Sequence, residues 1–350
     1  MKYTNEIVIT MIITILITFL RIINVFQVEN GLGHPFMMLF MIVFLSITTI
    51  LIQKNIDQNH KKNILNYKNL DILKYISAIL IIILHLRPFL NFSSVLDLAF
   101  NNIITRICVP IFFIITGYFV AKKEKSNPNY IIDYIRKMIP LYLIWSFIYI
   151  PVIIVTIIQY LPTISNYISQ LNLSLYYLIP FLIIAIPFII IVSLLYTGIY
   201  YHLWYFPAII CSLLVLKKWK QKNNIKYLLL ISFLLLLFGA TETYYGVLSL
   251  SIKELLSYYY NIFFTTRNFL FFGLFYVVLG YYMGSKENLY SKYCFAKLII
   301  SVFCLVFEAI LLHDTNRLNS NILISCVPLT YYLFISNIYI TNNMKTKFQF

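Results

Sequence analysis

Long apolar runs separated by short polar loops, many of them rich in lysine, dominate the chain. A run of about 20 apolar residues spans the roughly 30 Å hydrocarbon core of a bilayer as an α-helix, because a helix satisfies its own backbone groups there. The pattern predicts ten such helices. Their approximate bounds are 7–26, 36–53, 71–90, 100–121, 139–160, 203–216, 226–240, 264–284, 293–312 and 320–340. The predicted fold class is therefore all-α, a polytopic transmembrane helical bundle.

Residues 172–200 form a further apolar stretch, interrupted by Pro180 and Pro187. Hydropathy alone would make this stretch an eleventh crossing. The loop 217–226 reads KKWKQKNNIK, and basic loops favour the cytoplasmic side of a membrane. In the predicted topology the loop 217–226 reaches the cytoplasmic side only if residues 172–200 make no net crossing of the membrane. We therefore predict a re-entrant or interfacial segment near 172–200, and a multi-pass protein of a bacterial-type plasma membrane with both termini in the cytoplasm.

Composition agrees with a membrane protein and excludes several other classes. The hydrophobic fraction is 61%, the charged fraction is 11%, and the mean hydropathy is +0.83. The net charge of +15 would suggest nucleic acid in a soluble protein, but these charges lie between apolar runs, as topology requires. Because the sequence has no soluble basic domain or aromatic-basic patch, it predicts no nucleic-acid partner. The five cysteines form no CxxC pair and lack metal-like spacing with histidine, so it also predicts no metal site.

The run DILKYISAILIIILHLRP places Lys74 and His85 eleven residues apart on one predicted membrane helix. Eleven helical residues advance roughly 16 Å and return within about 20° of the starting direction, so both side chains share a face. That face could line a path from the cytoplasm to a point beyond the middle of the membrane. The alternative is a snorkelling lysine and a packed or interfacial histidine, and spacing alone favours that alternative.

The predicted topology gathers other polar residues on the outer half of the bundle. They are Arg87, Arg106, His202, Glu242, Arg267, Asn268, Glu308, His313 and Arg317. Snorkelling to the outer interface would account for Arg87, His313 and Arg317, whereas Glu308 is predicted to lie deeper and to need a hydrogen-bonding partner. The aromatic residues around His202, including Trp204, are predicted to form an interfacial belt. The sequence contains no P-loop, GxSxG, HExxH or GxGxxG in a suitable context.

Four segments in order carry a resemblance to a known family. They read DILKYISAILIIILHLRP, RICVPIFFIITGYFVAKK, YHLWYFPAII and TTRNFLFFGLFYVVLGYYMG. Together they resemble acyltransferase family 3, and most closely the membrane domain of vancomycin-resistance membrane serine racemases, which also resembles FEAILLHD at 307–314. The resemblance implies two extra N-terminal helices in residues 1–60. It implies an acyltransferase-3-like domain over 61–350 that lacks the last helices of the family.

The resemblance implies a membrane acyltransferase that moves an acyl group from cytoplasmic acyl-CoA, with acetyl-CoA the expected donor, to a hydroxyl. The acceptor would be an envelope polysaccharide or a small hydroxylated molecule. His85 matches the family histidine and would act as general base or transient acyl carrier. Lys74 stands where the family has arginine and, with Arg136, would bind the CoA phosphates, although lysine lacks the planar fork of arginine.

The remaining matched positions imply contacts with substrate. Arg106, Arg267 and Asn268 would bind the acceptor or polarise the acyl carbonyl. His202 and Trp204 match the HLW signature and would contribute to the same site or to packing. Two other functions stay open. One is a membrane module that transports or binds serine or another small amino acid, and the other is a non-catalytic component of an envelope or resistance system.

Overall fold

A computed structural model describes residues 67–347, apart from short gaps at 91, 155–156, 160–161, 163–165, 167–182, 184–185, 288, 290 and 316. The regular structure of the described residues is helical, without a β-strand. The predicted all-α class is therefore confirmed. The predicted helices 7–26 and 36–53, which make up most of the proposed N-terminal unit 1–60, lie outside the described residues.

Besides the helix Ile186–Thr197, the first half of the described chain contains five helices that we number in chain order. They are α1 (Lys68–Leu86), α2 (Ser94–Asp97), α3 (Cys108–Glu124), α4 (Tyr130–Ile148) and α5 (Tyr205–Lys220). A π-helical turn and a 3₁₀ turn, Leu98–Ile103 and Ile104–Ile107, join α2 to α3. A second 3₁₀ turn, Tyr201–Trp204, leads directly into α5.

The second half contains five more helices. They are α6 (Ile225–Tyr244), α7 (Leu250–Phe263), α8 (Leu274–Ser285), α9 (Cys294–His313) and α10 (Cys326–Lys347). A π-helical turn, Phe269–Gly273, precedes α8. The predicted span 264–284 therefore begins later than its apolar pattern suggests, because Asn268 caps this turn and leaves residues 264–267 in a loop.

Helix α8 lies at the centre of the bundle and packs most extensively against α3. Glycines permit this close approach. A Cβ added to Gly280 would lie 2.1 Å from the backbone oxygen of Ile114, and one added to Gly117 would lie 2.1 Å from that of Val277. Gly280 and Gly284 are four residues apart, the small-residue spacing that brings membrane helices into backbone contact. The contact between α3 and α8 therefore depends on glycines as well as on apolar side chains.

Four helical segments of the described chain are long and apolar enough to cross a bilayer, or six if each of two bent pairs forms one span. Several such segments in one chain are the mark of a multi-pass membrane protein. The predicted count of about ten is not confirmed and stays a prediction. The described part of the segment 172–200 forms a helix, Ile186–Thr197, which meets Tyr201–Lys220 at a 55° bend. A broken span and a re-entrant loop both fit this geometry, so the prediction for this segment stays untested.

Two buried carboxylates join the helix ends on the side of the bundle where α6 ends. Glu308 of α9 bonds to the hydroxyl of Tyr244 and accepts hydrogen bonds from the backbone amides of Ile324 and Ser325, each at 2.7 Å. Glu242 of α6 accepts a hydrogen bond from the backbone amide of Thr266 at 2.9 Å. Glu308 thus has the hydrogen-bonding partners that the sequence predicted. They come from α6 and from the residues directly before α10.

Candidate functional site

His85 lies in the last turn of α1 and meets the turn that precedes α5. Its ring centroid is 4.1 Å from that of His202, with the two ring planes at 81°, and 5.7 Å from that of Tyr201. The side chain of His85 is exposed, so a substrate can approach the ring. Two histidines from distant parts of the sequence therefore meet at one end of the bundle.

A glycine allows the turn with His202 to form. Gly198 has φ = +76°, and a Cβ at this position would lie 2.7 Å from the backbone of Leu203 and Trp204. A residue with a side chain would therefore both be strained and collide with the turn. The chain folds back tightly here, and this return places the His202 ring against His85.

Tyrosines pack around His202, where the sequence predicted an interfacial aromatic belt. The ring of Tyr201 lies 3.7 Å from that of His202, and the ring of Tyr200 lies 5.4 Å from it. Tyr149, at the end of α4, stacks on Tyr200 with centroids 4.6 Å apart. None of these tyrosines was predicted to belong to the site, although the run YYHLWY was a signal that could have identified Tyr200 and Tyr201.

Trp204 joins this turn to Arg267. The indole is buried and packs edge-on against Phe272 with ring centroids 5.4 Å apart. The guanidinium carbon of Arg267 lies 5.5 Å from the centre of the Trp204 ring, within the range of a cation–π interaction. Trp204 therefore packs in the core and also holds Arg267 beside the histidines.

Arg106 approaches the same place from the 3₁₀ turn before α3. One terminal nitrogen lies 3.4 Å from the side-chain oxygen of Asn102, and its buried Nε has no hydrogen-bond partner among the described residues. The buried Nε of Arg267 likewise has no hydrogen-bond partner among those residues. Both arginines lie near enough to His85 to act on it electrostatically. Three groups thus face one region. The histidine can accept a proton, and the two guanidinium groups can stabilise negative charge.

Asn268 is occupied by structural hydrogen bonds. Its side-chain oxygen accepts from the backbone amides of Leu270 and Phe271 at 2.9 and 3.1 Å. Its amide nitrogen donates to the Tyr196 hydroxyl at 2.9 Å and to the Thr265 carbonyl at 3.3 Å. These bonds account for the residue as the cap of the turn before α8, and they position its neighbour Arg267. Direct contact between Asn268 and a substrate stays a prediction.

Lys74 and Arg136 lie apart from the histidines. Lys74, in the second turn of α1, forms an ion pair with Asp71 at 2.9 Å and lies 5.1 Å from the ring centre of Phe119. Arg136 lies 3.9 Å from the Asp133 carboxylate, and its side chain is 76% exposed. Of the residues chosen from the sequence, the fold thus brings His85, Arg106, His202, Trp204 and Arg267 together.

Comparison with known proteins places this geometry in a family. The family model described as an acyltransferase domain, acyltransferase family 3, matches residues 67–350. The chain belongs to acyltransferase family 3. No solved structure matches the chain.

Several curated relatives bear the names of racemases. An amino-acid racemase of Enterococcus faecalis is 27% identical over 276 residues, which cover 77% of this chain and 35% of that protein. A second amino-acid racemase of that organism is 25% identical over 283 residues, covering 76% and 37%. A serine/alanine racemase of Enterococcus gallinarum is 25% identical over 256 residues, covering 70% and 33%. The chain thus spans about a third of the length of the curated relatives it matches.

Proposed function

We propose that this protein is a membrane acyltransferase that moves an acyl group from acyl-CoA, with acetyl-CoA the expected donor, to a hydroxyl group. The acceptor is an envelope polysaccharide or a small hydroxylated molecule, and the protein acts in the plasma membrane with both termini in the cytoplasm. The contact between His85 and His202, 4.1 Å between ring centroids and beside Arg106 and Arg267, carries the proposal. Membership of acyltransferase family 3 supports the reaction class.

In the proposed reaction the ring of His85 takes the proton of the acceptor hydroxyl. The hydroxyl oxygen attacks the thioester carbonyl, the new C–O bond forms and the C–S bond breaks. The CoA thiolate then receives the proton from His85, so that an ester and free CoA leave. The guanidinium groups of Arg106 and Arg267 stabilise the negative charge that develops on the carbonyl oxygen.

The donor enters at the other end of α1 in this proposal. The CoA phosphates meet Lys74 and Arg136, and the pantetheine chain extends along α1 toward His85. Lys74 and His85 are eleven positions apart, which corresponds to roughly 16 Å of helix, a distance that an extended pantetheine arm can cover. In this proposal the cations at one end of α1 bind the donor, and His85 at the other end transfers the proton.

Replacement of His85 tests the proposal. We expect His85→Ala and His85→Gln to abolish the acylation of cell-envelope polymers at equal protein level, because both variants remove the proton acceptor. His313→Ala is the matched control, since His313 is half-exposed and contacts Asp314 at 2.8 Å, outside the His85 cluster. Acyl content after mild alkaline release is the measurement. Unchanged acylation in both His85 variants would refute the catalytic role.

The racemase names of the relatives favour a second candidate, a module that transports or binds serine or another small amino acid. Proteoliposomes separate the two functions. Uptake of labelled serine without release of CoA would support transport. Release of CoA that depends on a hydroxylated acceptor would support acyl transfer.

A further inference from the structure

The two arginines next to His85 make no direct contact with a carboxylate among the described residues. Neither Arg106 nor Arg267 belongs to an ion pair there, and the Nε atom of each is buried without a hydrogen-bond partner. Arg106 also feels the positive charges of Arg87, Arg267 and Arg317. Gathering positive charges in a partly desolvated region costs free energy unless an anion is present.

The carboxylates at this end of the bundle have other partners. Asp97 accepts two hydrogen bonds from Arg87, at 2.5 and 3.3 Å, and one from the Asn101 amide at 2.6 Å. Glu242 is bound by Thr266 and by the Asn321 amide. Glu308 is bound by the donors described above. Glu242 also lies near enough to Arg267 to offset part of its charge, but it forms no ion pair with either arginine. The hydrogen-bonding capacity of the two guanidinium groups is therefore not used by these carboxylates.

We infer that Arg106 and Arg267 bind an anionic group of the acceptor, a carboxylate or a phosphate, and so place the acceptor hydroxyl at His85. This inference rests on the proposed function and names the acceptor class for that site. A guanidinium presents its donors in a planar fork that matches the oxygens of both anions. Trp204 lies against the guanidinium of Arg267 and limits the directions in which that fork can point.

The CoA phosphates are a poor alternative for this anion, because the lysines that suit them lie elsewhere. Lys122 and Lys123 end α3, and Lys217, Lys218 and Lys220 end α5. Lys122 reaches the backbone oxygen of Lys286 after α8 at 3.3 Å, and Lys220 pairs with Glu124, so these helix ends are neighbours. They are the ends opposite to Arg106 and Arg267. The arginine pair is therefore left for the acceptor.

Binding to the full-length protein tests the inference without acyl-CoA. The protein is placed in phosphatidylcholine nanodiscs and titrated with glycerol 3-phosphate, with lactate and with neutral glycerol, and binding is followed by calorimetry. We expect both anions to bind and glycerol to bind far more weakly. Each of Arg106→Gln and Arg267→Gln should weaken binding of the anions about tenfold or more, because a charged hydrogen-bonding partner is lost.

The control removes an equal charge from the same end. Lys253→Gln should bind both anions nearly as the unchanged protein does, since Lys253 of α7 donates to the backbone oxygen of Gly246 at 3.1 Å and does not belong to the arginine group. Arg267→Lys keeps the charge without the fork and should give an intermediate affinity. Gel filtration and circular dichroism verify that the variants are folded. The inference is overturned if the anions bind no better than glycerol, or if Arg106→Gln and Arg267→Gln match the unchanged protein.

A second arm identifies the source of the anion. Nanodiscs that contain phosphatidylglycerol present the same phosphate chemistry from the lipid. If that lipid competes with glycerol 3-phosphate, the acceptor is a lipid headgroup, and if it does not compete, the acceptor is a soluble anion. Because acyl-CoA is absent, anion binding can be established even if acyl transfer fails. Conversely, acylation of a neutral acceptor with no anion binding would overturn this inference alone.

Discussion

Replacement of Glu242 should lower the stability of the fold around the site, because this carboxylate holds two segments together by hydrogen bonds. Glu242 is 2% exposed and joins the loop that carries Arg267 to the segment before α10. Its carboxylate accepts hydrogen bonds from the Thr266 amide at 2.9 Å and from the Asn321 side chain at 3.3 Å, and it also bonds to the Thr266 hydroxyl. Glu242→Ala therefore leaves at least two buried donors without this acceptor.

The magnitude follows from these bonds. An orphaned buried donor costs about 1–3 kcal/mol, so two should lower the free energy of unfolding by about 2–6 kcal/mol. In Glu242→Gln the amide oxygen can still accept from Thr266. The loss should then be about 1–2 kcal/mol, because neutral hydrogen bonds replace charge-assisted ones. The expected order of stability is the unchanged protein, then Glu242→Gln, then Glu242→Ala.

Thermal unfolding in detergent measures this order. A thiol-reactive dye is a suitable reporter, because Cys108, Cys294 and Cys326 are free and buried. Glu254→Ala, which removes an exposed carboxylate on α7, is the matched control. If Glu242→Ala unfolded at the same temperature as Glu254→Ala, the hydrogen-bond network around Glu242 would not support the fold as we argue.

Two further substitutions test the packing and the ion pairs. Gly280→Ala should lower the unfolding temperature, because its Cβ would lie 2.1 Å from the Ile114 oxygen, and an overpacking cost of about 1–3 kcal/mol exceeds the gain of about 1 kcal/mol in helix propensity. Gly273→Ala, with its nearest contact a side-chain atom at 3.1 Å, should cost less, and an equal or larger loss there would contradict this reasoning. Asp97→Asn should cost only about 1 kcal/mol in the same assay, because the side chain of its partner Arg87 is 48% exposed. A loss greater than that of Gly280→Ala would show that this pair matters more than its exposure suggests.

The helices could be predicted from the sequence because their apolar runs are long and their loops are charged. The predicted span 226–240 corresponds to Ile225–Tyr244, and 293–312 corresponds to Cys294–His313. The error at 264–284 has a specific cause. Phe263 and Phe264 continue the apolar pattern, whereas hydrogen bonds between Thr266 and Glu242 hold the chain as a loop before Asn268 caps the next turn. Hydropathy does not report such a long-range hydrogen bond.

The site could be predicted only in part. His85 and Lys74 stand out because titratable residues are rare in apolar helices. The contact of His85 with His202 joins positions 117 apart in sequence, and it depends on the left-handed backbone of Gly198. The family resemblance supplied His202 and Arg267 as candidates, but it did not indicate that Trp204 would hold Arg267. Local patterns identify the residue types, and the tertiary fold determines which of them meet.

Lys74 illustrates how an existing partner affects a proposed role. Its pair with Asp71 at 2.9 Å could suggest that this lysine is unavailable to the CoA phosphates. The side chains of Lys74 and Asp71 are 36% and 64% exposed, and such surface pairs contribute only about 0–1 kcal/mol. A phosphate with more charge can therefore replace Asp71 at small cost. The same reasoning does not extend to Arg106 and Arg267, whose buried Nε atoms have no hydrogen-bond partner among the described residues. An anion that binds these atoms adds contacts without displacing a partner of theirs.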